Sequence, residues 1–209
     1  GTYPWTTGTL NGSTYKIKIA DPATTIAFES ASNFLVDNTA PVTTIALAPI
    51  APDGLGSWYI TVPTITLSCS DALSGCLAGG IKYRWDGVPG WNTYTVPFVA
   101  PQGIHILEWY SEDQAEDALG AHNVETVQTQ IIKVDTLAPT VAVTSTTFPG
   151  AYNAGEAINV TLTFSEAASS TAPLLVTLDT GGTCSIPTFS NQTIVSCSYT
   201  VGAGENSSG

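Results

Sequence analysis

The side chains here best equipped for chemistry are carboxylates. Asp37, Asp71, Glu112, Asp113, Glu116, Asp117 and Asn123 stand at or beside turn-like stretches, and Asp135 and Glu166 hold comparable places further along. Carboxylate and amide oxygens are the ligands of hard cations, and Ca²⁺ takes about six to eight of them. The competing reading is a solvated acidic loop with Asx-type turns, since no EF-hand loop is present. Aromatic rings are the second candidate. Trp58, Tyr59, Tyr83, Trp85, Trp91 and Tyr94 lie close in sequence, and sugar rings stack on exposed aromatic faces. Trp58, Tyr83 and Trp85 fall in strand-like runs and read as packing. Trp91, in a turn between Gly90 and Asn92, together with Tyr94, is the pair left for a glycan.

Catalysis finds little support. There is no Gly-x-Ser-x-Gly elbow, no His-Glu-x-x-His pair and no glycine-rich phosphate loop. His105 sits between Ile104 and Ile106 and reads as structural, and His122 lies among the acids. A glycosidase carboxylate pair needs a cleft, which bare sandwich modules rarely provide. The expectation is a chain that is not an enzyme.

Acids outnumber bases 17 to 5, for a net charge of −12. That balance disfavours nucleic acid and anionic membrane surfaces, which both recruit Lys and Arg. Hydrophobic residues make up 43%, too many for a disordered chain. Thr, Ser, Val and Ile abound while Met is absent, which favours pleated sheet. No stretch approaches the roughly 20 apolar residues of a membrane helix. Any export signal is expected outside these 209 residues.

The cysteines form two local pairs, Cys69 with Cys76 and Cys184 with Cys197. With no zinc-like spacing, disulfides are the reading, and they imply an oxidising, extracellular or cell-surface setting. Loop closure assigns them about 2.5 and about 3 kcal/mol. Asn-x-Ser/Thr sequons at Asn11, Asn159, Asn191 and Asn206 mark N-glycosylation candidates.

Two near copies organise these elements. Val36-Asp37-Asn38-Thr39-Ala40-Pro41 and Val134-Asp135-Thr136-Leu137-Ala138-Pro139 lie about 98 residues apart, the length of one β-sandwich. Each joins two strand-like runs. The Asp bonds the backbone two residues on, and the Pro fixes φ and withholds a donor. These joints predict three modules, 1–38, 39–136 and 137–209. In the first, alternation of Tyr15, Ile17 and Ile19 with Thr14, Lys16 and Lys18 predicts a half-buried strand, and a second follows at 33–36. In the middle module the predicted strands are 42–47, 64–70, 81–85, 104–110 and 124–134, with short pieces near 58–60 and 93–99. In the third, 158–164 and 195–199 alternate, and 174–178 is a continuous apolar run.

The motifs resemble bacterial immunoglobulin-like repeats of surface and secreted proteins. Trp5-Thr6-Thr7, Asn11-Gly12-Ser13-Thr14-Tyr15 and Asp37–Pro41 resemble the closing part of such a repeat. Trp58-Tyr59, Thr66–Asp71, Ser74-Gly75, Tyr83–Gly87, Gly103–Leu107 and Tyr110-Ser111 resemble a full one, and Thr161–Glu166 the B strand of a third. The family's compact loop after Tyr110-Ser111 is here a longer segment from Asp113 to Asn123. The resemblance implies tandem Ig-like β-sandwiches, one complete module flanked by two partial ones. Neighbouring chain, continuous or added by strand donation, is expected to complete the partial modules. In such a sandwich the start of the first strand, the B–C loop and the F–G loop share one pole, which gathers Asp37, Asp71, Glu112, Asp113, Glu116, Asp117 and Asn123. Asp135 and Glu166 are the equivalents at the next joint. The function implied is a structural module of an extracellular fibre, filament or stalk, with neighbouring copies or modules as partners. The alternative is an adhesin or a carbohydrate-binding segment of a secreted polysaccharide-degrading enzyme.

Overall fold

The computed structural model describes residues 6–24 and 27–205, and it is all-β apart from a single 3-10 turn at Leu55–Ser57. No helix among the described residues is long and apolar enough to cross a membrane. The chain divides into two compact units, Gly1–Thr136 and Leu137–Gly209.

The first unit begins with four short strands, β1 (Gly12–Tyr15), β2 (Lys18–Ala20), β3 (Ala27–Glu29) and β4 (Phe34–Val36). β1 pairs with β4 and β2 with β3, all antiparallel. The half-buried strand expected through Tyr15, Ile17 and Ile19 is therefore two strands in different ladders. Ile17 and Ile19 are 55% and 69% exposed. The break has a local cause: Ile17 N–H donates to Ser30 Oγ (3.2 Å) and Ile17 O accepts from Ser30 N–H (2.8 Å), handing the chain from one partner to the next.

Beyond the joint come β5 (Val42–Ala48), β6 (Thr64–Ser70), β7 (Lys82–Trp85), β8 (Asn92–Thr93), β9 (Phe98–Val99), β10 (Gly103–Tyr110), β11 (Glu112–Glu116), β12 (His122–Val124) and β13 (Gln128–Val134). One sheet has the order β5-β6-β9, the other β13-β10-β7-β8. Ile65 and Leu67 from the first meet Leu107, Trp109, Ile132 and Val134 from the second in one core, closed by Tyr59 and Ala100. Alternation does this work: Leu107 is fully buried while its neighbour Ile106 is 43% exposed.

Three details depart from expectation. Residues 58–60 form no strand; Tyr59 bridges β13 alone, its N–H on Lys133 O (2.8 Å) and its O taking Asp135 N–H (2.9 Å). The run 124–134 is two strands, because Glu125 turns inward between them. The segment Asp113–Asn123, read as a long loop, is the hairpin β11–β12.

The second unit holds β14 (Val141–Thr144), β15 (Ala157–Ser170), β16 (Leu174–Thr177), β17 (Thr183–Ile186) and β18 (Phe189–Thr200). Its sheet runs β14-β15-β18, and β16 and β17 form a separate hairpin. Val160, Cys184 and Tyr199 are its buried centre. The Cys184–Cys197 disulfide ties β17 to β18. β17 went unpredicted because its run Thr-Cys-Ser-Ile is short and bounded by a double glycine turn.

Candidate metal centre

Three segments of the first unit deliver a carboxylate to one point. Asp37 follows β4 directly, and its Oδ1 accepts from Thr39 N–H (3.0 Å), the Asx turn predicted for this joint. Asp71 follows β6, and its Oδ1 accepts from Leu73 N–H (3.0 Å) and Gly75 N–H (2.8 Å). That turn closes through Gly75 at φ +84°, a conformation suited to glycine. The Cys69–Cys76 disulfide then clamps its far end to β6. Asp113 lies on β11, which is strapped to the same turn by Leu77 N–H on Glu112 O and Gln114 N–H on Gly75 O, both 2.9 Å.

One oxygen from each of Asp37, Asp71 and Asp113 falls within 4.8 Å of the other two. Asp113 is fully buried and Asp37 is 9% exposed. Asn123, opposite on β12, organises the group. Its N–H donates to Asp113 Oδ1 (3.1 Å), and its Nδ2 donates to Asp113 Oδ2 (2.8 Å) and Asp37 O (3.1 Å). Ser74 N–H donates to Asp37 Oδ2 (2.9 Å). Burial pushes the Asp37 carboxyl up, but the hydrogen bonds from Thr39 and Ser74, with one shared with Asp71, outweigh it and hold the group below its usual range.

Like charges this close repel, and the hydrogen bonds to Asp37 offset that repulsion. At 4.8 Å each pair of full charges repels by about 0.9 kcal/mol in water and about 3.5 kcal/mol at an effective dielectric of about 20. Among the described residues the ion pairs are Arg84–Glu108 and His105–Asp86, neither at this cluster. The donors are all oxygen, the set preferred by Ca²⁺ and Mg²⁺ rather than by zinc or copper. If a calcium-class ion bound here, the three carboxylates would supply part of its shell and carbonyls or water the rest.

Other expected ligands lie elsewhere. Glu112 precedes Asp113 on β11, and strand alternation sends the two side chains to opposite faces. Asp117 sits at the hairpin tip, where its Oδ1 accepts from Leu119 and Ala121 N–H; those bonds hold its carboxyl low. Asp135 belongs to the first unit and accepts from Gln102 Nε2 (3.0 Å). Glu166 lies on β15 of the second unit.

The joint around Asp37 is itself pinned. Asn11 Oδ1 accepts from Asn38 N–H (3.0 Å), Asn38 Nδ2 donates to Leu10 O (2.6 Å), and Asn11 Nδ2 donates to Thr39 Oγ1. A cavity of about 520 Å³ lies beside the cluster, between Leu35 and Asn38 on one side and Gln114 to Asp117 on the other.

The glycan pair divides. Trp91 packs edge-on against Tyr110 (4.7 Å) with the Arg84 guanidinium 4.3 Å from its ring centre, whereas Tyr94 turns inward onto Phe98 and the core. The two offer no shared platform. Of the sequons, Asn11 is engaged in the joint, and Asn159 Oδ1 accepts from Thr146 and Thr161 hydroxyls. Asn191 is exposed at a left-handed turn, φ +54°, within β18. Asn206 lies outside the described residues.

Glu125 escaped sequence reading. It is 7% exposed, and its carboxylate accepts from Thr43 N–H (3.0 Å), Ser111 N–H (3.1 Å) and Ser111 Oγ (3.2 Å), stitching β5 to the end of β10. The available signal was the phase break between Glu125 and the inward positions Ile132 and Val134. No family model matches this chain, and neither do curated proteins or solved structures.

Proposed function

We propose that this chain is a structural segment of an extracellular fibre or stalk, built from tandem Ig-like modules, whose first joint is stiffened by a calcium-class cation. The observation that carries the reading is the meeting of Asp37, the joint residue, with Asp71 and Asp113 of the module that follows. A cation there would tie three chain segments at once and relieve their mutual repulsion. Asn11, Asn38 and Asn123 already hold the joint by hydrogen bonds, so the ion adds stiffness to a formed contact. The two disulfides agree with an oxidising setting outside the cytoplasm.

The test is urea unfolding of the chain in chelator, in Mg²⁺ and in Ca²⁺. Binding to the folded state alone adds about 1.4 kcal/mol at ten times Kd. The first unit should unfold at higher urea in Ca²⁺ than in chelator, with the Thr39 and Ser74 amides better protected from exchange. Identical midpoints and protection in all three conditions would remove calcium from the proposal.

A further inference from the structure

His105 lies at the end of the middle sandwich, 28% exposed by its side chain, edge-on to Trp85. Its Nδ1 is 2.6 Å from Asp86 Oδ2, and its Nε2 is 2.8 Å from Gln102 O. A carboxylate and a carbonyl both only accept. Both ring nitrogens must therefore carry hydrogen for both bonds to exist, and that describes imidazolium.

The partners are well fixed. Asp86 has φ +54°, and its Oδ1 accepts from Ile106 N–H (2.7 Å), which aims Oδ2 at the ring. Gly103, at φ +108°, bends the backbone so that the Gln102 carbonyl reaches Nε2; a Cβ on Gly103 would stand 3.2 Å from that nitrogen. Gln102 then reaches onward. Its Nε2 donates to Asp135 Oδ1 (3.0 Å), and its Oε1 accepts from Thr136 Oγ1 (3.2 Å) and N–H (3.4 Å). Asp135 and Thr136 are the last residues of the first unit, at the second joint.

We propose that His105 is a charge-dependent latch: as imidazolium it holds Asp86 and Gln102 together, and through Gln102 it holds Asp135 and Thr136 at the exit of the first unit. A neutral ring donates only one hydrogen bond, so one arm of the latch opens on deprotonation. The groups facing the ring are few. Asp86 comes from the β7–β8 turn, and the cross-strand neighbour on β13 is Ile132, while Lys133 pairs with Ile104 on the opposite face. Asp135 is the next charge, one residue removed through Gln102.

The hydrogen bond to Asp86, then the one to the Gln102 carbonyl, raise the imidazole above its ordinary value. His105 in turn, followed by Ile106 N–H, lowers Asp86. A raised histidine contributes fully below its unfolded value of about 6.5 and loses that contribution as pH climbs through the folded value. The latch is thus closed in mildly acidic medium and opens above the folded midpoint.

The experiment is an NMR titration of the whole chain, following the His105 ring nitrogens together with the Thr136 amide and the Gln102 side-chain amide. His105 should titrate above the ordinary histidine midpoint, and the Thr136 and Gln102 signals should move with that same midpoint. Exchange protection of Thr136, corrected for intrinsic rate, should fall several-fold across it. Asp86→Asn should bring the midpoint down, and His105→Gln should flatten the Thr136 response. A Thr136 amide indifferent to the His105 midpoint in the unmodified chain overturns the proposal, as does a His105 midpoint that Asp86→Asn leaves unmoved.

Discussion

Replacing Asp71 by Asn separates the charge at the joint from the turn that carries it. The Asn side chain keeps an Oδ1 acceptor for Leu73 and Gly75 N–H, so the Asx turn persists. What disappears is one of three negative charges within 4.8 Å, hence two repulsive pairs. Between the water and intermediate-dielectric limits, two such pairs are worth about 2 to 7 kcal/mol. Asp71 is half-buried, so screening places the expected gain near the low end, about 2 kcal/mol. In chelator the Asp71→Asn chain should therefore be more stable than the parent, with a urea midpoint higher by about 1 M for an m-value of about 2 kcal/mol/M. In saturating Ca²⁺ the order should reverse, because the variant has given up a ligand. The assay is two urea titrations of each protein, read by Trp fluorescence. A variant less stable than the parent in chelator would show that repulsion among these carboxylates is negligible. An unchanged ranking between chelator and Ca²⁺ would show that no ion binds through Asp71.

Three further outcomes follow from the packing. Glu125→Ala strands the buried Thr43 and Ser111 N–H donors, each at about 1 to 3 kcal/mol, so the urea midpoint of the first unit should drop sharply and Glu125→Gln should recover part of the loss. Gly182→Ala drives a methyl into the Tyr199 ring, and since Tyr199 is buried the second unit should lose about 1 to 3 kcal/mol, seen as a lower melting temperature for that unit only. Reducing Cys69–Cys76 should cost about 2.5 kcal/mol and weaken Ca²⁺ binding measured by calorimetry, since the disulfide closes the turn that presents Asp71.

What the sequence makes legible here is whatever rests on local rules. The Asp37–Thr39 turn, the Cys pairs and the β5, β6 and β10 strands each follow from neighbours within a few positions, and each appears close to where the residues place it. The run from Tyr15 to Ile19 shows the limit of that reasoning. Alternation at Tyr15, Ile17 and Ile19 is real, but alternation does not name the partner strand, and two partners split the run. The hairpin Glu112–Val124 shows the converse. Its residues have poor strand propensity, yet backbone bonds to the Gly75–Leu77 segment hold it extended, so tertiary contacts override composition.

The carboxylate cluster combines both cases. That Asp37, Asp71 and Asp113 share a pole follows from sandwich connectivity, which short motifs suggested. Glu112, adjacent to Asp113, is set apart by a single step of strand alternation, and Asp117 by the turn it caps. Which of seven neighbouring oxygen-bearing side chains converge was therefore decided by hairpin register. Register depends on the Cys76–Asp113 bridge between segments some forty residues apart, a long-range pairing that no window of sequence contains. Glu125 was hidden for the same reason: its three donors come from Thr43 and Ser111, and a carboxylate so satisfied looks, in sequence, like any solvated acid. In a chain with 17 acids and 5 bases, buried carboxylates must draw on backbone N–H groups, hydroxyls or bound cations, and at the joint the N–H groups of Thr39, Ser74 and Asn123 serve Asp37 and Asp113.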